Sequence, residues 1–197
     1  MAPELVLASG SPRRREILDK LGVTFRVHPA EVEEAGRVTS SPEAMVLGNA
    51  RLKCEAVASI FKGNPVLGAD TSVFLEDRVL NKPENREEAS FMLGQLSGRI
   101  HTVITGLCLI WREKDLTWSK AVCSSVTFRA FDWETARSYL ARVNPLDKAG
   151  AYGIQEHGEL LVASYSGSFS NIMGLPREET ARALARFGIE TAAGEES

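Results

Sequence analysis

The stretch ELVLASGSPRRREILDKLG, Glu4 to Gly22, passes from one kind of local order to another within a few residues. Glu4 to Ser9 is a short apolar run bounded by small residues, the pattern of a buried strand. Ser11 to Gly22 then carries the marks of a helix: Ser11 as N-cap, Pro12 at the first helical position and Gly22 just past the end. Ile17, Leu18 and Leu21 fall on one face of that helix. A buried strand that turns at once into a helix is the opening of an α/β fold.

Arg13, Arg14 and Arg15 crowd the first turn of this helix in a chain whose net charge is -3. Cations are disfavoured at the positive end of the helix dipole, by about 0.3–1 kcal/mol each. The free backbone N–H groups there point outward, so a strand, a glycine turn and a helix start together form an anion site. A guanidinium fork matches phosphate oxygens. On this stretch alone a solvated basic face is an equal reading. Arg14 tilts the balance towards a ligand, because Arg14, Ile17, Leu18 and Leu21 share one face, near the buried side.

Working outward, VTFRVHP reads as a second strand, followed by the acidic segment AEVEEAG. Pro42 to about Ile60 reads as a helix with another Ser-Pro start. PVLGADTSVFLEDRVL reads as strand, Gly-Ala-Asp-Thr break and strand, turning at Glu76-Asp77. Asn85 caps a helix over REEASFMLGQL, and Glu88 suits a capping box. HTVITGLCLIW and TWSKAVCSSVTFRAF, joined by REKD, predict a long antiparallel hairpin. Asp132 opens a helix to about Val143, a glycine-rich segment reads as loops between strands, and REETARALARFG is a last helix. The expectation is a mixed α/β fold with two lobes about a cleft, one domain over residues 1–189 and a frayed tail over 190–197.

Composition narrows the function classes. With 197 residues, 44% hydrophobic and 25% charged, the chain can bury a sizeable core. No apolar run approaches the ~18 residues that a membrane helix needs, and the N-terminus lacks a basic and then apolar leader. Cys54, Cys108 and Cys123 are odd in number and widely spaced, and read as reduced core thiols in a cytoplasmic setting. The mild acidity, with one short basic run, argues against a nucleic-acid binder.

Further residues could carry chemistry. Val46, Ala50, Lys53 and Val57 form one helical stripe, so Lys53 either snorkels to the surface or is a buried charge in need of an anion. Asp70 stands at the expected break between apolar runs, where a strand end exposes a side chain to a cleft; an Asx-turn is the plainer reading. Lys82 precedes a proline on a loop. Glu31, Glu33 and Glu34 read as a solvated loop, or one of them pairs with Asp70 to hold Mg²⁺. There is no Walker A loop, no GxGxxG, no G-x-S-x-G elbow and no zinc spacing. Arginines at a helix start, two lysines and separated carboxylates suit a polyphosphate bound through one metal.

LASGSPRRREIL, GADTSV, NKPENREEASFMLGQLSGRIHTVITG, DKAGAYGIQ and GLP together resemble the Maf family of nucleoside triphosphate pyrophosphatases, over Leu5 to about Phe187. The resemblance implies a mixed elongated sheet flanked by helices around a deep cleft, similar to the inosine triphosphate pyrophosphatases, and a homodimer. It implies cleavage between the α- and β-phosphates with Mg²⁺ or Mn²⁺, giving a nucleoside monophosphate and pyrophosphate. The group with SPRR and AGAYGIQ prefers dTTP and UTP; a 7-methyl-GTP or CTP preference and a non-catalytic regulator of cell division are the alternatives. By matching position, Asp70 is the proton acceptor and a metal contact, Glu34 a metal ligand, and Lys53 and Lys82 phosphate lysines. Ser9, Ser11, Arg13 and Arg14 match the phosphate loop, and Arg13, Thr71 and Gln155 the positions that discriminate among bases. Gln155 offers a donor and an acceptor to the imide edge of uracil or thymine. Two residues depart from the family pattern: Asn85 stands where an acid is common, and Glu156 where a glycine is common.

Overall fold

The computed structural model describes residues 3–38 and 40–192. A single seven-stranded sheet runs through it. Strand β1 (Leu5–Leu7) lies between β2 (Phe25–Val27) and β3 (Val66–Leu75), both parallel to it. Beyond β3 the sheet continues antiparallel through β5 (Ile100–Trp111), β6 (Leu116–Phe128) and β7 (Val162–Ser166), while the short β4 (Arg78–Leu80) folds back on the end of β3. Helix α1 (Pro12–Lys20) is the first crossover, and α2 (Pro42–Ile60) leads back to β3.

Alternation along β3 and β5 divides the core. Leu67, Ala69, Val73, Leu107 and Leu109 join Ile17 and Leu18 of α1 in the main hydrophobic cluster. The same cluster takes in α3 (Arg86–Leu96), α4 (Trp133–Arg142) and α6 (Arg177–Arg186) through Leu93, Tyr139 and Leu184. The opposite face, with Val66, Cys108 and Ile110, packs against Ala50, Cys54 and Val57 of α2. A period of two is what puts successive residues on opposite faces.

Two glycines let α2 lie hard against the sheet. A Cβ at Gly68 would stand 2.4 Å from the Ala50 carbonyl, and one at Gly106 would stand 2.3 Å from the Val46 carbonyl. Only hydrogen fits at either point. This corrects the expected break at Gly-Ala-Asp-Thr: β3 runs unbroken through Asp70, which pairs with Gly106. Gly68 marks a close approach of helix to strand, and its ladder pairing continues.

The caps are largely as expected. Ser41, Asn85 and Asp132 each accept a backbone N–H from three residues on, and Gly22 and Gly188 follow their helices at positive φ. Glu88 reaches back to the Glu84 N–H at 2.6 Å. Ser11 occupies the N-cap of α1 but its side chain accepts no capping bond. The glycine-rich segment, read as loops between strands, holds the strand β7 and also a five-residue helix, α5 (Phe169–Met173), that its pattern does not predict. Cys54 and Cys108 are buried free thiols; Cys123 is exposed, because the middle of β6 is left uncovered, which corrects its assignment to the core. Ala192 donates to the Leu21 carbonyl at 2.7 Å, and residues 193–197 of the expected tail lie outside the described residues. Among the described residues no helix is long and apolar enough to cross a membrane.

Candidate active site

The length of β1 decides where the site can be. It pairs with β3 only at Val66 and Leu67, and β4 takes up the same edge only from Val73. Between them Asp70, Thr71 and Ser72 have β5 on one side and an open edge on the other. That gap lies at the carboxyl end of β1, beside the start of α1, where open α/β sheets present ligands. A cleft of about 570 Å³ opens there.

Because Asp70 and Thr71 point to opposite faces of β3, one draws on α2 and the other on α1. Asp70 is 5% exposed. Its Oδ1 accepts from Lys53 Nζ at 2.8 Å and its Oδ2 from Asn49 Nδ2 at 3.1 Å. Lys53 also pairs with Glu34 Oε2 at 2.7 Å, so one ammonium bridges two carboxylates. Asn49 is the residue that brings Glu34 in: its side chain accepts the Ala35 N–H at 2.8 Å and donates to the Ala35 carbonyl at 3.1 Å. Burial pushes the Asp70 carboxyl up, but the Lys53 charge and the hydrogen bonds around it prevail and hold it below the usual carboxylate range. Asp70 is therefore an ionised base at neutral pH.

On the other face Arg14 is clamped by three acceptors. Nε donates to the Gly174 carbonyl at 2.8 Å, Nη1 to Ser9 Oγ at 2.8 Å and Nη2 to Thr71 Oγ1 at 3.2 Å. Thr71 Oγ1 lies 2.9 Å from Thr105 Oγ1, which donates to the Asn171 carbonyl at 3.1 Å. Burial lowers the Arg14 pKa, and the Asp70 and Glu34 carboxylates oppose that shift. Arg13 points the other way, to Asp147 Oδ2 at 3.0 Å. The Arg15 side chain donates to the Gly10 carbonyl and stays on the surface.

The cleft thus gathers all the expected site residues, namely Ser9, Ser11, Arg13, Arg14, Glu34, Lys53, Asp70, Thr71, Lys82 and Gln155. The open alternatives close in particular ways. Lys53 is a buried ion-paired charge, Glu34 and not Glu33 faces Asp70, and Asp70 sits mid-strand instead of in an Asx-turn or at a strand end. Lys82 is exposed at the mouth with no ion-pair partner among the described residues. Sequence reasoning missed Asn49, whose signal was its place one turn before Lys53, and Lys148, a buried lysine in a run of small residues.

Charge and donor set define what the cleft can take. Five cations (Arg13, Arg14, Lys53, Lys82, Lys148) and three carboxylates (Glu34, Asp70, Asp147) line it, a local excess of positive charge in an acidic chain. Such a surface suits a polyanion. Among the described residues no group of three or more His, Cys, Asp or Glu forms a closed metal cage. Mg²⁺ and Mn²⁺ do not require one: a carboxylate or two, with water and substrate phosphate, is a usual ligand set, and Glu34 and Asp70 fit it.

The family described as Maf-like protein matches residues 4–187. The dTTP/UTP pyrophosphatase of Bacillus anthracis is 42% identical over 187 residues, 95% of this chain and 97% of that one. That of Moorella thermoacetica is 43% identical over 95% of this chain and 96% of its own, and that of Akkermansia muciniphila 42% identical over 95% and 98%. Among solved structures, the Ham1 protein of Staphylococcus aureus has a TM-score of 0.44 at 16% identity, covering 64% of this chain and 71% of that one, too distant a likeness for argument. With all but its extreme ends matched, the chain belongs to the Maf-like protein family.

Proposed function

We propose that this protein hydrolyses dTTP and UTP to the nucleoside monophosphate and pyrophosphate, using Mg²⁺ or Mn²⁺, and so removes unwanted or modified pyrimidine nucleotides. The observation that carries the reading is the ionised Asp70, held between Lys53 and Asn49 on an open strand edge, beside an arginine-bearing helix start. The near full-length relatives named dTTP/UTP pyrophosphatase supply the substrate class.

Asp70 takes the proton of the attacking water, since it is ionised and reaches the cleft while most of its surface is buried. The N–H groups at the start of α1 and the Ser9–Ser11 turn receive phosphate oxygens. Arg14 stays in its clamp and contributes a fixed positive field, which costs no reorganisation during the reaction. Lys53, shared between two carboxylates, and Lys82, free at the mouth, neutralise charge that builds on the departing pyrophosphate. As Lys53 turns towards phosphate, its hold on Asp70 weakens and the carboxylate becomes a stronger base. A divalent ion on Glu34 and Asp70 would supply a Lewis acid for phosphate and water. Arg13, Thr71 and Gln155 read the base. The working protein is a cytoplasmic homodimer in this reading, and light scattering at micromolar concentration tests the dimer.

A panel of nucleotides decides between base preferences. At one enzyme concentration, with Mg²⁺, Mn²⁺ or a chelator, dTTP and UTP should be turned over fastest and the chelated sample not at all. Faster turnover of 7-methyl-GTP or CTP would overturn the pyrimidine assignment.

A further inference from the structure

Lys148 lines the cleft yet is 4% exposed. Its ammonium donates to the Asn144 carbonyl at 2.8 Å and to Asp147 Oδ1 at 2.8 Å, and it forms an ion pair with Glu156 Oε2 at 3.1 Å. It is therefore a tie point between two loops. Asp147 extends the tie to Arg13 at 3.0 Å. Glu156 extends it the other way, since its Oε1 accepts from Gln155 Nε2 at 3.1 Å. Both side chains pack over Gly153, where a Cβ would stand 2.9 Å from Lys148 Cε and 3.2 Å from Glu156 Oε1 and would push them aside. The Glu156 N–H closes the turn by donating to the Gly153 carbonyl at 3.0 Å.

A carboxylate only accepts, so the NH₂ of Gln155 must face Glu156 and its amide oxygen must face away. The geometry points to Glu156 as a specificity-positioning residue: anchored by Lys148, it fixes the Gln155 amide so that an acceptor oxygen meets the base. A ring with N–H at the centre of its pairing edge, uracil or thymine, is then accepted. Cytosine presents an acceptor at that atom and is opposed by the oxygen. A free glutamine would rotate its amide and serve either ring. This inference rests on the nucleotide pyrophosphatase reading above, with Gln155 at the base.

The test is the ratio of kcat/KM for UTP to that for CTP in Glu156→Ala and Glu156→Gln. Alanine releases Gln155 and should lower the ratio about fivefold, the worth of one net hydrogen bond. Glutamine keeps an acceptor oxygen for Gln155 and should retain most of the ratio. A merely structural role would lower both nucleotides equally. An unchanged ratio in Glu156→Ala, or a Glu156→Gln ratio as low as that of alanine, overturns the proposal. Dissociation constants of α,β-imido-UTP and α,β-imido-CTP, measured by calorimetry on the same proteins, give the ratio without turnover. If the unaltered protein hydrolyses neither nucleotide, the pyrophosphatase reading fails and the binding ratio still decides the role of Glu156. Failure to bind either analogue overturns both.

Discussion

Replacing Asp70 by asparagine separates the chemistry of the site from its contribution to the fold. The substitution conserves shape and leaves Asn49 Nδ2 an oxygen to donate to. Lys53 keeps its 2.7 Å contact with Glu34, so no buried charge is left without a partner. The cost of orphaning a buried ion, about 3–5 kcal/mol, therefore does not apply. The amide turns its NH₂ to Lys53, so that ammonium loses one of its acceptors, at about 2 kcal/mol. For a chain of this size that lowers Tm by about 4–8 °C. Catalysis should suffer far more, since a general base contributes about 10²–10⁴-fold and asparagine cannot accept the proton. The assay is the initial rate of pyrophosphate release from UTP beside a thermal melt of the same sample. Expected is Asp70→Asn down at least about 100-fold with its melting point lowered by no more than about 8 °C. A rate within tenfold of the unaltered protein would refute Asp70 as the base. A melting point lowered by more than about 10 °C would refute the claim that Glu34 still neutralises Lys53.

Gly106→Ala places a methyl 2.3 Å from the Val46 carbonyl and must lift α2 from the sheet. A loss of about 3 kcal/mol is expected, read as a lower urea midpoint, with turnover falling because Lys53 moves with the helix. Lys82→Ala, at an exposed residue without an ion pair among the described residues, should leave stability within about 0.5 kcal/mol. Its kcat/KM for UTP should fall at least about tenfold, and unchanged kinetics would remove Lys82 from the site. Burial pushes the His101 imidazole down to about 4, while the unfolded chain titrates near 6.5. Between those values the unfolded state binds more protons, so His101 contributes stability that is lost as pH falls through that window. Relative to His101→Gln, the unaltered protein should lose about 2–3 kcal/mol more between pH 7 and 4.5 in urea titrations, and parallel losses would contradict this.

What the sequence disclosed was what short-range chemistry determines. Ser41-Pro42 and Asn85 mark helix starts because the cap is made within three residues, and the β-branched runs either side of REKD form their hairpin with local register. The site residues were legible because the family motifs carry them in order, and Lys53 because its charge interrupts an apolar stripe. Hidden features depend on partners remote in the chain. The Gly68 in GADTSV resembles a strand break until α2 is laid across it, and only then does Asp70 become a mid-strand residue. The edge that exposes Asp70 exists because β1 is short and β4 begins late, a matter of pairing rather than composition. Asn49 and Lys148 gain meaning from Ala35, Asp147 and Glu156, which no periodicity connects to them. Helix α5 is too short for its pattern to rise above its glycine-rich surroundings.

In the proposed reaction this cleft breaks the bond between the α- and β-phosphates of a pyrimidine nucleotide. Product analysis by ion-exchange chromatography of dTTP incubated with the purified protein and Mg²⁺ tests it most directly. Equal amounts of dTMP and pyrophosphate are predicted; dTDP with orthophosphate, or intact dTTP, would contradict it.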